Sequence, residues 1–142
     1  FIFLGHNDSK LSSKSGYERA CVPPEVFEPK YREVVKKIIE KTGAKVTVMS
    51  SSSSVHEITK ASAEARTKAK RAHNFFGVPK ALEQFNALAL KVAKECGADY
   101  LDVYEPTRTH ANKPSLFTGD GVHLSDEGNR FIALQILKYL GK

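Results

Sequence analysis

The sequence predicts an α/β fold with parallel strands, on three observations. Three short runs, Phe1–Leu4, Lys45–Met49 and Tyr100–Tyr104, have the length and character of strands, at about residues 1–5, 45–49 and 99–103. Between them lie stretches with apolar residues at helical spacing, so the strands are separated by helices and run parallel through right-handed crossovers. The first run stops at Gly5-His6-Asn7-Asp8, and a polar tetrad at the carboxyl end of a strand is where open α/β sheets place their sites.

Taken in order, Phe1–Leu4 is apolar throughout, the pattern of a strand buried on both faces. Ser9 to Pro24 is rich in Ser, Lys and Gly and reads as a loop above the strand end. Glu28-Pro29 opens a helix, since proline is tolerated in a first turn, and Tyr31, Val34, Val35, Ile38 and Ile39 form its apolar stripe. Gly43 ends it. The second strand is followed by five serines, Ser50–Ser54; none stands in a G-x-S-x-G elbow, so the run reads as loop. Val55 to Arg71 favours helix, and Asn74 to Pro79 forms a break. Lys80 to Cys96 is a second clear helix, with Leu82, Phe85, Ala89, Val92, Ala93 and Cys96 on its buried stripe and Gly97 as its cap. In the third strand both tyrosine rings, Tyr100 and Tyr104, are expected in the core. Glu105 to Thr118 reads as a polar loop carrying Arg108, His110 and Asn112, with plain exposure weighed against substrate contact for Arg108 and His110. Ser125 caps the last helix, Asp126 and Glu127 complement its dipole, and Phe131, Leu134, Ile136, Leu137 and Leu140 are expected to anchor it to the sheet.

A chain of 142 residues, 41% hydrophobic and 27% charged, fits one soluble globular domain over residues 1–142 and argues against disorder. No apolar run approaches the roughly 20 residues that span a bilayer, and the compartment is unassigned because any leader would precede Phe1. Cys21 and Cys96 do not make a disulfide framework, and Cys96 is expected to pack as a small hydrophobe. The net charge of +6 invites a nucleic-acid reading. Yet Lys60, Arg66, Lys68, Lys70 and Arg71 come with alanines and no interleaved aromatics, so a solvated helix face is expected and a nucleic-acid partner is not. His56 begins no H-E-x-x-H, because residue 60 is lysine, and no metal-ligand spacing occurs.

Near the end, Asp120 and His123 stand three residues apart at the mouth of a helix, bracketed by Gly119 and Gly121. A tight turn can bring them together, and an imidazole oriented by a carboxylate can take a proton from a hydroxyl at neutral pH. With Gly5-His6-Asn7-Asp8 after the first strand and Asp120-Gly121-Val122-His123-Leu124 before the last helix, the chain resembles blocks III and V of the SGNH (GDSL) hydrolase family of serine esterases and lipases. The resemblance implies a flavodoxin-like three-layer α/β/α sandwich with a parallel sheet, of which these strands are the last three of five. It implies Asn7 as a donor to the oxyanion, Gly5 and Asp8 as shapers of that turn, His123 as general base and Asp120 as its orienting carboxylate. His6 replaces the usual threonine; the resulting G-H-N-D is similar to rhamnogalacturonan acetylesterase-like members and makes His6 a candidate substrate contact.

The G-D-S nucleophile block and the block II glycine do not occur in these residues. The chain thus resembles the C-terminal part of such a domain, and an upstream segment or a partner chain is expected to cover Phe1–Leu4 and to supply the serine. The implied activity is hydrolysis of carboxylic esters, acetyl or short acyl, with carbohydrate and lipid esters both open and no cofactor or metal. The alternative, from a different class, is a non-catalytic hydrolase-like scaffold or binding subunit.

Overall fold

A computed structural model describes residues 1–142. A parallel three-stranded sheet lies at its centre, in the order β1 (Ile2–Phe3), β3 (Thr47–Met49), β5 (Asp99–Leu101). Ile2 pairs with Val48, and Val48 in turn with Tyr100, so β3 is the middle strand and is buried along its length. Side chains alternate across a strand, and the two faces of β3 divide accordingly. Val46 and Val48 pack on one face with Phe27, Tyr31 and Val35 of α2 (Pro24–Thr42) and Phe85, Ala89 and Val92 of α4 (Pro79–Glu95). Met49 packs on the other with Val103 and with Ile132 of α6 (Asp126–Tyr139). Helices therefore cover both faces, as the α/β reading requires. Gly43 and Gly97 follow the ends of α2 and α4 with positive φ, where a side chain would strain the backbone.

Several elements differ from expectation. Phe1–Leu4 is not buried on both faces: β1 has β3 as its one neighbour, and Phe1, Phe3 and Leu4 are exposed. The polar tetrad is not a simple turn but enters a short helix, α1 (His6–Ser9). The stretch to Pro24 holds β2 (Leu11–Ser12) and a 3-10 turn, and β2 pairs antiparallel with β4 (Asn74–Phe75), which occupies the expected break. Helix α2 starts at Pro24 rather than Glu28, because Pro24 sits in its first turn, where a missing N–H costs nothing, and Pro29 lies one turn further in on the exposed side. Tyr104 is not in a strand; it opens α5 (Tyr104–Arg108), and a 3-10 turn at Lys113–Leu116 occupies more of the expected loop. Tyr104 is buried and Tyr100 is packed against the α2–α4 core, as expected.

The anchoring stripe of α6 is narrower than expected. Ile132 is buried, with Phe131 and Ile136 packed beside it, whereas Leu134 and Leu137 are 51% and 45% exposed. At 3.6 residues per turn they lie about 200° and 140° around the helix from Ile132, on its opposite face.

The serine run is a loop, but it is buried. Ser50–Ser54 cross the carboxyl end of the sheet at 0–4% exposure; the surrounding chain pairs several of their polar groups, while Ser51 Oγ and Ser53 Oγ are buried without a partner in the chain. Ser50 Oγ donates to Asp102 Oδ1 (2.8 Å) and accepts from the amides of Val103 (2.8 Å) and Tyr104 (2.9 Å). The amide of Ser51 donates to Asn86 Oδ1 (2.8 Å), that of Ser53 to Thr107 Oγ1 (2.9 Å), and Ser54 Oγ to the carbonyl of Gly77 (2.6 Å). Small side chains that carry a donor and an acceptor suit a segment buried this closely. Helix α3 (His56–Lys68) follows directly, and its start lies beside the Asp120–His123 turn, where the amide of Val55 donates to the carbonyl of Gly121 (2.9 Å).

Candidate active site

The local geometry around Asp120 is set by its own turn. Asp120 Oδ1 accepts from Thr118 Oγ1 (2.9 Å) and from the amides of Val122 (2.8 Å) and His123 (3.0 Å). Gly121 closes the turn at φ 74°, and a Cβ there would stand 2.9 Å from the carbonyl oxygen of Val55. The same glycine accepts the amide of Val55, which ties the turn to the start of α3. Behind it, Ser125 accepts from the amide of Gly128 as the N-cap of α6 and donates through Oγ to the carbonyl of Ser115 (2.5 Å). Gly119 meets no neighbour and has no such constraint.

With Oδ1 saturated, Oδ2 is free to face the imidazole, and it lies 2.5 Å from His123 Nδ1. Burial tends to raise the Asp120 pKa, but the hydrogen bonds from His123, the two amides and Thr118 outweigh it and hold the carboxyl well below the usual range. An ionised carboxylate at that distance keeps the proton on Nδ1. Nε2, which makes no hydrogen bond within the chain, is then the basic nitrogen.

At the end of β1, Gly5 takes φ 115° and α1 follows, with the amide of Ser9 closing on the carbonyl of Gly5 (2.9 Å). Asn7 is exposed, and its side-chain amide has no partner in the chain. Asp8 contributes through its backbone, its carbonyl accepting the amide of Val22 (3.2 Å), while its carboxylate makes no hydrogen bond. The two ends of the chain meet in a cavity of about 260 Å³, lined by His6, Asn7, Ser51, Ser52, Phe76 and His123 among others. Burial pushes His6 below its ordinary pKa, its own backbone partly opposes this, and the nearby His123 adds to it. A neutral His6 does not repel a positive charge forming on His123. Its Nε2 and the Oγ of Ser51 are buried without a partner in the chain.

A second cavity, of about 170 Å³, adjoins the first, sharing Phe76, Val122 and His123 but not Asn7. Its wall is the face of α3 that carries Thr59, Ser62, Ala63 and Arg66. Sequence reasoning missed this wall and the serine floor. The i, i+3, i+4, i+7 spacing of those four residues could have marked a face, but not what it faces.

Other candidates lie elsewhere. Arg108 is held by Glu105 through two hydrogen bonds (2.7 and 2.6 Å), and His110 packs edge-on against Phe131 with ring centroids 4.9 Å apart. Neither lines either cavity. No cluster of three or more His, Cys, Asp or Glu residues that could hold a metal ion is present. No helix is long and apolar enough to cross a membrane.

The chain is similar to known proteins along most of its length. A model described as the GDSL-like Lipase/Acylhydrolase family matches residues 1–131. A Bos taurus protein named isoamyl acetate-hydrolyzing esterase 1 homolog is 26% identical over 134 residues, 92% of this chain and 51% of that protein. Its Mus musculus namesake is 38% identical over 53 residues, 37% of this chain and 21% of that protein. The chain thus spans about half the length of the bovine relative, and the mouse match covers less. The crystal structure of the lipase/acylhydrolase from Enterococcus faecalis matches with a TM-score of 0.67 over 98% of this chain and 58% of that one, at 16% identity, which is a likeness of fold.

Proposed function

The chain belongs to the GDSL-like lipase/acylhydrolase family, and on that premise we propose that it carries the base and one oxyanion donor of a serine esterase acting on acetyl or short acyl esters. The observation that supports this most directly is the Asp120–His123 pair, with Nε2 unpaired, opening on the same cavity as Asn7. The nucleophilic serine comes from a segment outside residues 1–142, which adds a strand to the open edge of β1 and covers Phe1, Phe3 and Leu4. Those exposed apolar side chains, with Val26 and Val34 of α2 exposed beside Leu4, are what such a segment would bury.

In the reaction, His123 Nε2 takes the serine proton as Oγ attacks the ester carbonyl, and Asp120 stabilises the imidazolium. The Asn7 side-chain amide donates to the oxyanion. His123 then gives its proton to the departing alcohol, and a water activated by the same Nε2 hydrolyses the acyl-enzyme. The cavity beside Asn7 and His123 is about 260 Å³ before the serine-bearing segment closes over Phe3 and Leu4, which line it, and it suits a short acyl group.

The test uses the full-length protein and an aryl acetate. His123→Ala is expected to lower kcat by several orders of magnitude, because nucleophile and base act as a unit. Asn7→Ala is expected to cost roughly 10²- to 10³-fold, the scale of one oxyanion donor, and Asp120→Asn to fall between. Undiminished turnover in His123→Ala would remove this histidine from the mechanism. A wild-type protein inactive on every ester would favour a scaffold.

A further inference from the structure

The cavity walled by α3 contains a cation with no partner. Arg32 and Arg108 are each held by glutamates, but Arg66 makes no ion pair or side-chain hydrogen bond with the chain, although it lines the same cavity as Asp120 and His123. Asp120 is the cavity's one acid, and its two oxygens already face four donors, so it is not available to Arg66. Ser62 and the Asn74 side-chain amide add free donors, while Ala63 leaves room between them. His73, at the outer end, is locked as wall: its Nδ1 lies 2.7 Å from the carbonyl of Arg71, and its Nε2 meets the hydroxyl of Tyr17.

The positive charge continues outward. A shallow depression of about 370 Å³ meets this cavity at His73 and is lined by Lys14, Lys70 and Arg71, none of which forms an ion pair. Exposed cations therefore line the surface from beside His123, at Arg66, outward to Lys14, Lys70 and Arg71. Unpaired cations along one groove attract anions and hold them by charge-assisted hydrogen bonds.

The chemistry of acyl transfer says which part of the substrate this cavity meets. The base returns its proton to the leaving oxygen, so the leaving alcohol lies on the His123 side of the carbonyl, away from the oxyanion donor. The α3 cavity has His123 in its lining and lacks Asn7. We propose that it is the alcohol subsite, and that Arg66 there selects an alcohol carrying an anionic group, a carboxylate or a phosphate. The inference rests on the esterase reading and names the substrate class of the same site.

The test measures hydrolysis of 4-acetoxybenzoate, 4-acetoxyphenyl phosphate and the neutral 4-acetoxybenzamide by full-length wild type and Arg66→Gln. In wild type, KM for an anionic ester is expected to be about tenfold lower than for the amide, the scale of one hydrogen bond to a charged group. Arg66→Gln is expected to abolish that difference by raising KM for the anionic esters about tenfold more than for the amide. Added salt is expected to raise KM for the anionic ester alone. Whichever anionic ester shows the larger Arg66-dependent difference identifies the group as carboxylate or phosphate.

Ligand-detected NMR titration with 4-hydroxybenzoate and 4-hydroxybenzamide supplies a readout that needs no turnover. Arg66-dependent preference for the anion in a protein inactive on every ester would uphold the anion site and sink the esterase reading. Hydrolysis of all three esters with equal KM, unchanged by Arg66→Gln, would overturn the subsite and leave the esterase standing.

Discussion

His123 is exposed along 79% of its side chain, yet its carboxylate partner receives four hydrogen bonds from one short turn. Exposure leaves Nε2 accessible, while the saturated Asp120 holds the ring in one orientation. The depressed pKa of Asp120 makes a stability prediction with a definite sign. A carboxyl whose folded pKa lies below its unfolded value of about 3.9 adds stability that is fully present above that value and is lost as pH falls through the lower folded value. Asp120→Asn should therefore be less stable than wild type at neutral pH, with the gap shrinking in strong acid. Urea midpoints at pH 7 and at about pH 2 check this, and a gap that widens in acid would contradict it.

Among the elements, α6 has the closest seat. A Cβ at Gly128 would lie 2.0 Å from the carbonyl oxygen of Leu116, a backbone atom that cannot swing aside. Gly128 is also the amide that Ser125 caps, so the contact sits at the end of the helix that follows His123. Gly128→Ala is expected to lower stability by about 3 kcal/mol, the upper part of the usual range for overpacking, and to reduce the proposed esterase activity by moving the turn. Chemical denaturation measures the first effect. Unchanged stability would mean that the helix can shift at no cost. The serine run illustrates the opposite economy, since four of its five small polar residues, Ser50, Ser51, Ser53 and Ser54, bond to chain segments distant in sequence while all five are buried.

At the scale of the molecule, two of the five tyrosines, Tyr31 and Tyr104, are buried, and a third, Tyr100, is half-buried against the core. Burial pushes Tyr100 up to about 12, with the charge of Asp102 adding to it. Burial and the hydrogen bond to Glu83 do the same for Tyr104, which also reaches about 12. Tyr31 is raised well above the ordinary range by burial. Such groups add stability that is present below the unfolded value of about 10 and is lost as pH rises through the folded values. Ultraviolet titration should find these three still protonated at about pH 11 in the folded protein, with unfolding following at higher pH. Ionisation of Tyr31, Tyr100 and Tyr104 near pH 10 would show that these rings are not held in the core.

The sequence by itself determined the alternation of strands and helices, the three long core helices, the glycine that follows each of α2 and α4, and the Ser125 cap. It also determined the Asp120–His123 contact, because two residues three apart meet through the chemistry of their own turn. These features depend on periodicity and on neighbours within a few residues. The tertiary structure decided what lies opposite what. Asn7 shares a cavity with His123 because the end of β1 and the Asp120–His123 turn converge; Ser50–Ser54 are buried because both flanks of the loop are occupied; and Leu134 is exposed because the sheet covers one face of α6. Arg66 reads in one dimension as part of a solvated basic face, and it lines the site because α3 is tied by Val55 to the turn that carries His123. Burial and juxtaposition are properties of packed elements, and no local pattern encodes them.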